Sequence, residues 1–420
     1  MFKQKKSEKG QALIFIVIGF VIILGFVGLA IDGGRVYSDR RHAQNSADAA
    51  SLAGSAAAAL NMENSHLFYD TFDCNQDDGR IAAAMQAAKE AAIARAASNG
   101  FAIDTNIDDF HGVTTTCGVD MSKGFADKYI DVIVDITTVT QAYFAQLFAN
   151  ESLTSQVYAV TRVRPRMPTV YGHAIVALSK AACSGNKYGV IFGGNIQVKV
   201  NGGGIFSNGC MSNNGGAFSV KVTNGTIAYA GTLEGGGTNY EPPPFHAMAP
   251  MPDEVSRVPL PNCDHPDAHV IQELKESSFP LAPGLWCVMG TKDVKLNGGD
   301  LVAKGVTIYV DRADVDISGN AEIDFEAPEA QPDPAPAVPG LLLYVANGDA
   351  DLQGNDTSKF LGTVFVPNGE IKIHGTPGMY PTFNTQLIGQ HVDISGNAYI
   401  DINFDKNQAY QIPTGLELNR

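Results

Sequence analysis

Six aspartates in the C-terminal half stand where they could do chemistry. Asp311, Asp314, Asp316 and Asp324 crowd one short stretch, and Asp393 and Asp401 recur in a second. Facing carboxylates of this kind bind Ca²⁺, or serve as the acid and base pair of an enzyme that cleaves acidic polysaccharides. Asp316, however, stands between Val315 and Ile317, and Asp393 between Val392 and Ile394. In a strand, that alternation turns both carboxylates outward to water, and a solvated face is the preferred reading.

Cys263, His265 and His269 in NCDHPDAH have the donor types of a metal site. The wider cysteine pattern argues otherwise. Cys74, Cys117, Cys183, Cys210, Cys263 and Cys287 all follow the apolar N-terminal segment, are even in number and contain no CxxC. That pattern favours disulfides in an oxidising compartment over zinc or thiol redox chemistry. Six cysteines allow fifteen pairings; the sequential one (74–117, 183–210, 263–287) stays within the domains drawn below. Gly202-Gly203-Gly204 lacks dinucleotide-binding spacing and reads as a backbone corner. No GxSxG, HExxH, Walker A or EF-hand pattern occurs, and no cofactor is implied. A formal net charge of −15 argues against nucleic acid as the main partner, because phosphate binding needs clustered Lys and Arg.

The elements that must position these residues repeat. A unit of alternating apolar residues closed by Gly or Asn begins at 198 (VKVNGG), 220 (VKVTNG), 294 (VKLNGG), 315 (VDISGN), 350 (ADLQGN), 371 (IKIHGT) and 392 (VDISGN). The spacings are 22 or 21, except for 35 between 315 and 350, which contains the thirteen-residue proline-rich segment 327–339, and 74 between 220 and 294, which contains the interrupting segment 241–285. VDISGNAEIDF and VDISGNAYIDI agree at nine of eleven positions. A fixed period with short strands and Gly/Asn corners predicts a parallel β-helix, or solenoid, over 172–412. Seven coils stacked at ~4.8 Å would extend ~34 Å. The segment 241–285 interrupts the repeats and reads as an excursion off the rod.

The N-terminal part differs. Residues 12–31, ALIFIVIGFVIILGFVGLAI, carry no charge and at 1.5 Å per residue span ~30 Å, one hydrocarbon core. Lys3, Lys5, Lys6 and Lys9 precede them and Asp32 closes them. Three fates are open: cleavage at Gly28-Leu29-Ala30 as a secretory signal, cleavage after Gly10, and retention as an anchor. The length of the run favours the anchor. All 21 prolines lie at or beyond Pro165, which suits a helical first part and places a linker at 165–171. Small residues at Ala43, Ala47, Ala50, Gly54 and Ala57 line one face of a helix that leaves the membrane and runs to about Leu60. A second Ala-rich helix is predicted over 79–98, strands over 131–139 and 155–163, and helical spacing over 141–149.

The run KGQALIFIVIGFVIILGFVGLAIDGGRVYSDRRHAQNSADAASLAGS resembles the N-terminal region of TadG-like proteins of Tad/Flp pilus systems. The matching features are Gly10-Gln11-Ala12-Leu13, Ala30-Ile31-Asp32, Ala47-Asp48-Ala49-Ala50 and Leu52-Ala53-Gly54. AYFAQLF and SLTSQVYAVTRV resemble the end of the same conserved region. The resemblance implies a bacterial envelope protein in the cytoplasmic membrane, with its N-terminus inside and its C-terminal domains outside. It implies association with pilus assembly or display, and no catalytic residue. Pilins are cleaved after a glycine and carry Glu five residues on; after Gly10, with Gln11 as the new N-terminus, that position is Phe15.

The expected organisation is a basic tail (1–11), a transmembrane helix (12–31), a TadG-like α+β domain (32–164), the linker, the solenoid and a tail (413–420). The expected function is a non-enzymatic, single-pass membrane protein whose partners are lipid through 12–31, pilus-assembly or envelope proteins and surface glycans. The alternatives are a membrane-tethered polysaccharide lyase or hydrolase, and a passive carbohydrate-binding module.

Overall fold

The computed structural model describes residues 11–419 apart from 76–78, 106–109, 122–125, 145–151, 184–188, 215–217, 319–320, 330–335 and 376–380. The chain divides into two compact units, Met1–Arg166 with Thr414–Arg420, and Met167–Pro413.

In the first unit, α1 (Gln11–Asn64) is one unbroken helix of 54 residues. Its first part is apolar all round, and Leu13, Phe15, Phe20, Phe26 and Leu29 are each more than half exposed. This part is long and apolar enough to cross a membrane. Beyond Asp32 one face is buried: Ala43, Ala47, Ala50, Gly54 and Ala58, the last in place of the expected Ala57, which is only half-buried. Against it lies α2 (Arg80–Ser98) with its own buried face of Ile81, Ala84, Ala88, Ala92 and Ala96. The small side chains let the two backbones approach closely. A Cβ on Gly54 would stand 2.7 Å from the Ala88 carbonyl and 3.0 Å from Val132 Cγ1.

Both helices pack on an antiparallel sheet of β1 (Gly112–Asp120), β2 (Asp127–Thr140), β3 (Leu153–Arg164) and the C-terminal strand Gly415–Asn419, in that order. Period-two patterning gives β2 its buried side of Ile130, Val132, Val134 and Ile136. Ser51 and Ser55 fasten α1 to β3, at 2.9 Å to Thr161 Oγ1 and 3.1 Å to Thr161 O.

The second unit is built on a parallel sheet of 22 strands. Most strands pair with the strand three places further along the chain. Gln197–Asn201 pairs with Ser219–Thr223, Gly204–Ser207 with Ile227–Tyr229, and Val294–Leu296 with Val315–Ile317. Three ladders result, and alternate apolar side chains from all three fill one core. Phe325, Phe360 and Phe383 stand on consecutive rungs with ring centroids 5.9 and 5.2 Å apart.

Rung order is not chain order. Thr382–Gly396 pairs on one side with Lys359–Gly375 and on the other with His173–Ala177 and Val190–Gly194. Tyr399–Asn403 pairs with Gln197–Asn201. The last rung of the chain therefore meets the first, and the two halves share a seam. Buried polar bonds close it. Gln386 Nε2 donates to the carbonyls of Thr169 (3.1 Å) and His173 (2.9 Å), and Thr363 Oγ1 donates to Gln386 Oε1 (3.1 Å). Thr169 Oγ1 in turn donates to the Tyr410 carbonyl at 2.9 Å.

Several boundaries are corrected by this pairing. Within 241–285 the strands Tyr240–Glu241, Phe245–His246, His269–Ile271 and Gly284–Val288 all belong to the sheet. The longest stretch outside it, 247–268, does not leave the stack. One ladder carries apolar side chains on its outer surface as well, including Tyr309, Tyr344, Phe365, Ile388 and Phe206. Met251, Val258 and Cys263 cover this column, and the Cys263–Cys287 disulfide fastens the strap to it. The linker 165–171 is not a free connection, because Met167–Pro168 pairs with Gln411–Ile412 and Val170 is buried. The tail 413–420 supplies the fourth strand of the first sheet. The seven repeat copies also do not share one register. Those at 198 and 220 lie on a different ladder from those at 294, 315, 350, 371 and 392.

Gly54→Leu should overpack the α1–α2 contact and destabilise the first unit by about 1–3 kcal/mol. Gly33→Ala, in a helix position with nothing within 4 Å, should stabilise it by about 1 kcal/mol. Calorimetry of the detergent-solubilised chain checks both, and the second unit's transition should stay in place.

Candidate functional site

Four of the six aspartates that suggested chemistry fall into two columns on different ladders. On one, Asp316 faces Asp351, Asp351 faces Lys372 and Lys372 faces Asp393. On the other, Asp324 faces Lys359, Lys359 faces Thr382 and Thr382 faces Asp401. Three rungs at ~4.8 Å put Asp316 about 14 Å from Asp393, and Asp324 equally far from Asp401. Carboxylate pairs that hydrolyse glycosides work at roughly 5–9.5 Å. The side chains point outward, because Val315, Ile317, Val392 and Ile394 take the interior.

Lysines interleave with the acids. Lys304 bonds Asp324 at 2.7 Å and Glu326 at 3.2 Å, and Lys359 pairs with Glu326. Burial works to raise the Asp324 pKa, but the Lys304 hydrogen bond and the nearby Lys359 outweigh it and hold the carboxyl below its ordinary range. Asp351, which sequence reasoning passed over as a site residue, is raised by partial burial and by Asp316 and Asp393, against the lowering pull of His374 and Lys372. Asp311 accepts from the Tyr309 hydroxyl at 3.1 Å and pairs with Arg312 at 2.9 Å, while Asp314 accepts the Asp349 amide at 2.9 Å. These contacts are those of a charge-laced surface.

The cysteines form the disulfides Cys74–Cys117, Cys183–Cys210 and Cys263–Cys287, with Cα–Cα distances of 5.7, 5.1 and 6.0 Å. Cys263 thus has no thiolate to offer a metal. His265 lies 3.7 Å from Asp267, and His269 stacks on Trp286. Among the described residues no group of three or more His, Cys, Asp or Glu is placed to hold a metal ion. Gly202 has φ +84°, and a Cβ there would strike the Phe404 carbonyl, so this corner serves backbone packing.

A different constellation lies where the apolar part of α1 ends. The face of α1 that is buried from Ala43 onwards continues backwards through half-buried Asp39 and Arg35 to buried Asp32 and Gly28, again in steps of four and three. The segment after β2 docks on it. Asp32, 3% exposed, accepts the backbone N–H groups of Tyr143 and Phe144 through its two carboxylate oxygens, each at 2.9 Å. Thr140 Oγ1 donates to Asp39 Oδ2 at 2.7 Å, and the Arg35 guanidinium lies 4.2 Å from the Tyr143 ring centre. Phe144 covers Gly28 so closely that a Cβ on that glycine would stand 2.7 Å from the ring. Residues 141–144 therefore form a turn held by a carboxylate, where helical spacing had suggested a helix; 145–149 lie outside the described residues.

The family model described as putative Flp pilus-assembly TadE/G-like matches residues 10–59. The N-terminal region is of the Tad type. No curated protein and no solved structure matches the chain. The match covers the apolar segment, Asp32 and the small-residue face through Ala58, but not the docked residues 140–144, and it supports a pilus-associated role. The processing position Gly10 lies outside the described residues, and Gln11 begins α1. The clasp was missed in the sequence because Asp32 read only as the end of an apolar run. Extending the spacing of 43, 47, 50 and 54 upstream would have reached Asp39, Asp32 and Gly28.

Asp32→Ala removes a charged acceptor from two backbone donors, a loss of about 1.5–3 kcal/mol per bond. Limited proteolysis should then cut within 141–144 at a markedly higher rate, with Asp32→Asn in between and the second unit's fragments unchanged.

Proposed function

We propose that this protein is a single-pass component of a Tad/Flp pilus system. On this reading α1 is retained as a membrane anchor, the N-terminus lies inside and both units lie beyond the membrane. The first unit meets pilus-assembly or other envelope proteins. The second unit is a three-sided β-solenoid that acts as a stalk or adhesive surface, with surface glycans as candidate ligands. The observation that carries this reading is the continuity of α1. An apolar stretch of membrane-spanning length, buried among its described residues only at Gly28, runs without a break into the helix on which the first unit is built, inside the Tad-type match.

Three disulfides support an oxidising side for both units. The three-along-the-chain strand pairing and single core support the solenoid, since each rung can bury its apolar side only against the next. The lysines interleaved and ion-paired with the acids weigh against the hydrolase alternative.

Protease added to intact spheroplasts should digest the chain down to a fragment retaining residues 1–31, and an N-terminal epitope should stay protected. Loss of the N-terminal epitope, with the second unit protected, would reverse the orientation.

A further inference from the structure

Resting on the reading that α1 crosses the membrane, we infer that the turn 141–144 is a membrane-interface element. Its aromatic side chains enter the outer boundary of the lipid alongside the helix. Three observations fix its depth. Gly28 lies three residues inside the end of the apolar run, which at 1.5 Å per residue is ~4.5 Å on the lipid side of Ile31, and Phe144 packs directly on it. Asp32 holds the Tyr143 and Phe144 amides, so the turn cannot move along the helix without losing both bonds. Tyr143 remains 63% exposed and Phe144 40% exposed, although the same contacts order their backbone.

The chemistry suits a lipid boundary. Phe144 is apolar and lies deepest, while Tyr143 combines a ring with a hydroxyl, the type of side chain enriched where hydrocarbon meets headgroups. Tyr37, about 9 Å further along α1 than Ile31, is 68% exposed on the aqueous side of this boundary. Arg35, against the Tyr143 ring, supplies a cation at headgroup depth. The backbone polarity of an irregular turn is tolerated there because Asp32 satisfies two of its donors. The carboxylate in turn is shielded from lipid by the peptide groups it binds. The first unit would thus be seated on the bilayer at a second point beside the helix.

Trp286 is the single tryptophan, so Trp286→Phe gives a silent background. On it, Tyr143→Trp, Phe144→Trp and Ile18→Trp reporters are made in the full chain and reconstituted in phosphatidylcholine vesicles. Bromine is placed either near the headgroup end or near the tail end of the acyl chains. The expected result is that the Tyr143→Trp and Phe144→Trp reporters are quenched several-fold more by headgroup-end bromine than by aqueous iodide, and the Ile18→Trp reporter by tail-end bromine. Iodide quenching of the first two without lipid quenching, while the Ile18→Trp reporter still senses bromine, would overturn the interfacial turn and leave the spanning helix standing. Failure of the Ile18→Trp reporter to sense bromine would instead overturn the spanning reading itself, and the turn's depth with it.

Discussion

Gly33 and Gly34 sit inside α1, directly after the apolar run, and each weakens a helix interior by about 1 kcal/mol relative to alanine. The helix nevertheless continues through them, and the side chains bracketing them explain how. Asp32 on one side and Asp39 on the other hold 140–144 by three hydrogen bonds. Bonds to charged acceptors contribute about 1.5–3 kcal/mol each, which outweighs the two glycines. The first unit is thereby coupled to the apolar segment by a continuous helix. Gly54 and the alanines around it extend the same stripe into the core, where close backbone approach replaces polar clasping.

The second unit solves a separate problem, that of the exposed ends of a stack of strands. Its chain starts in the middle, builds outward to Phe245–His246, crosses over the outer column as the strap 247–268 to His269–Ile271 at the other end, and builds back to the start. Meeting at the seam lets the edge of the last rung pair with the edge of the first. Where the first half ends, Pro242, Pro243 and Pro244 follow the strand Tyr240–Glu241, and proline lacks the N–H that another strand would need. The strap over the outer column of Tyr309, Tyr344 and Phe365 is then a hydrophobic requirement, because those side chains would otherwise face water.

Much of this was readable in the residues, and what was not has physical reasons. The apolar run and the small-residue face of α1 were legible because length and spacing are local properties. So was the outward orientation of Asp316 and Asp393, which follows from the neighbours Val315, Ile317, Val392 and Ile394. The seam was not, because VKVNGG and VDISGN look alike in sequence although they occupy different ladders; only long-range pairing distinguishes them. The strap at 247–268 read as an excursion because its proline-rich composition conceals the contacts of Met251 and Val258. The clasp was hidden for the same reason, since Asp32 and Tyr143 are 111 positions apart. β1 escaped notice because GVTTTCGVD has few apolar residues to mark a face.

Hydrogen–deuterium exchange of the full chain in lipid nanodiscs tests the continuity of α1 most directly. Helix through the glycine pair predicts slow exchange for the amides of 32–42, matching that of the packed stretch 43–58. A fast-exchanging gap at Gly33–Gly34, with protection on both sides, would show two jointed helices and contradict the account.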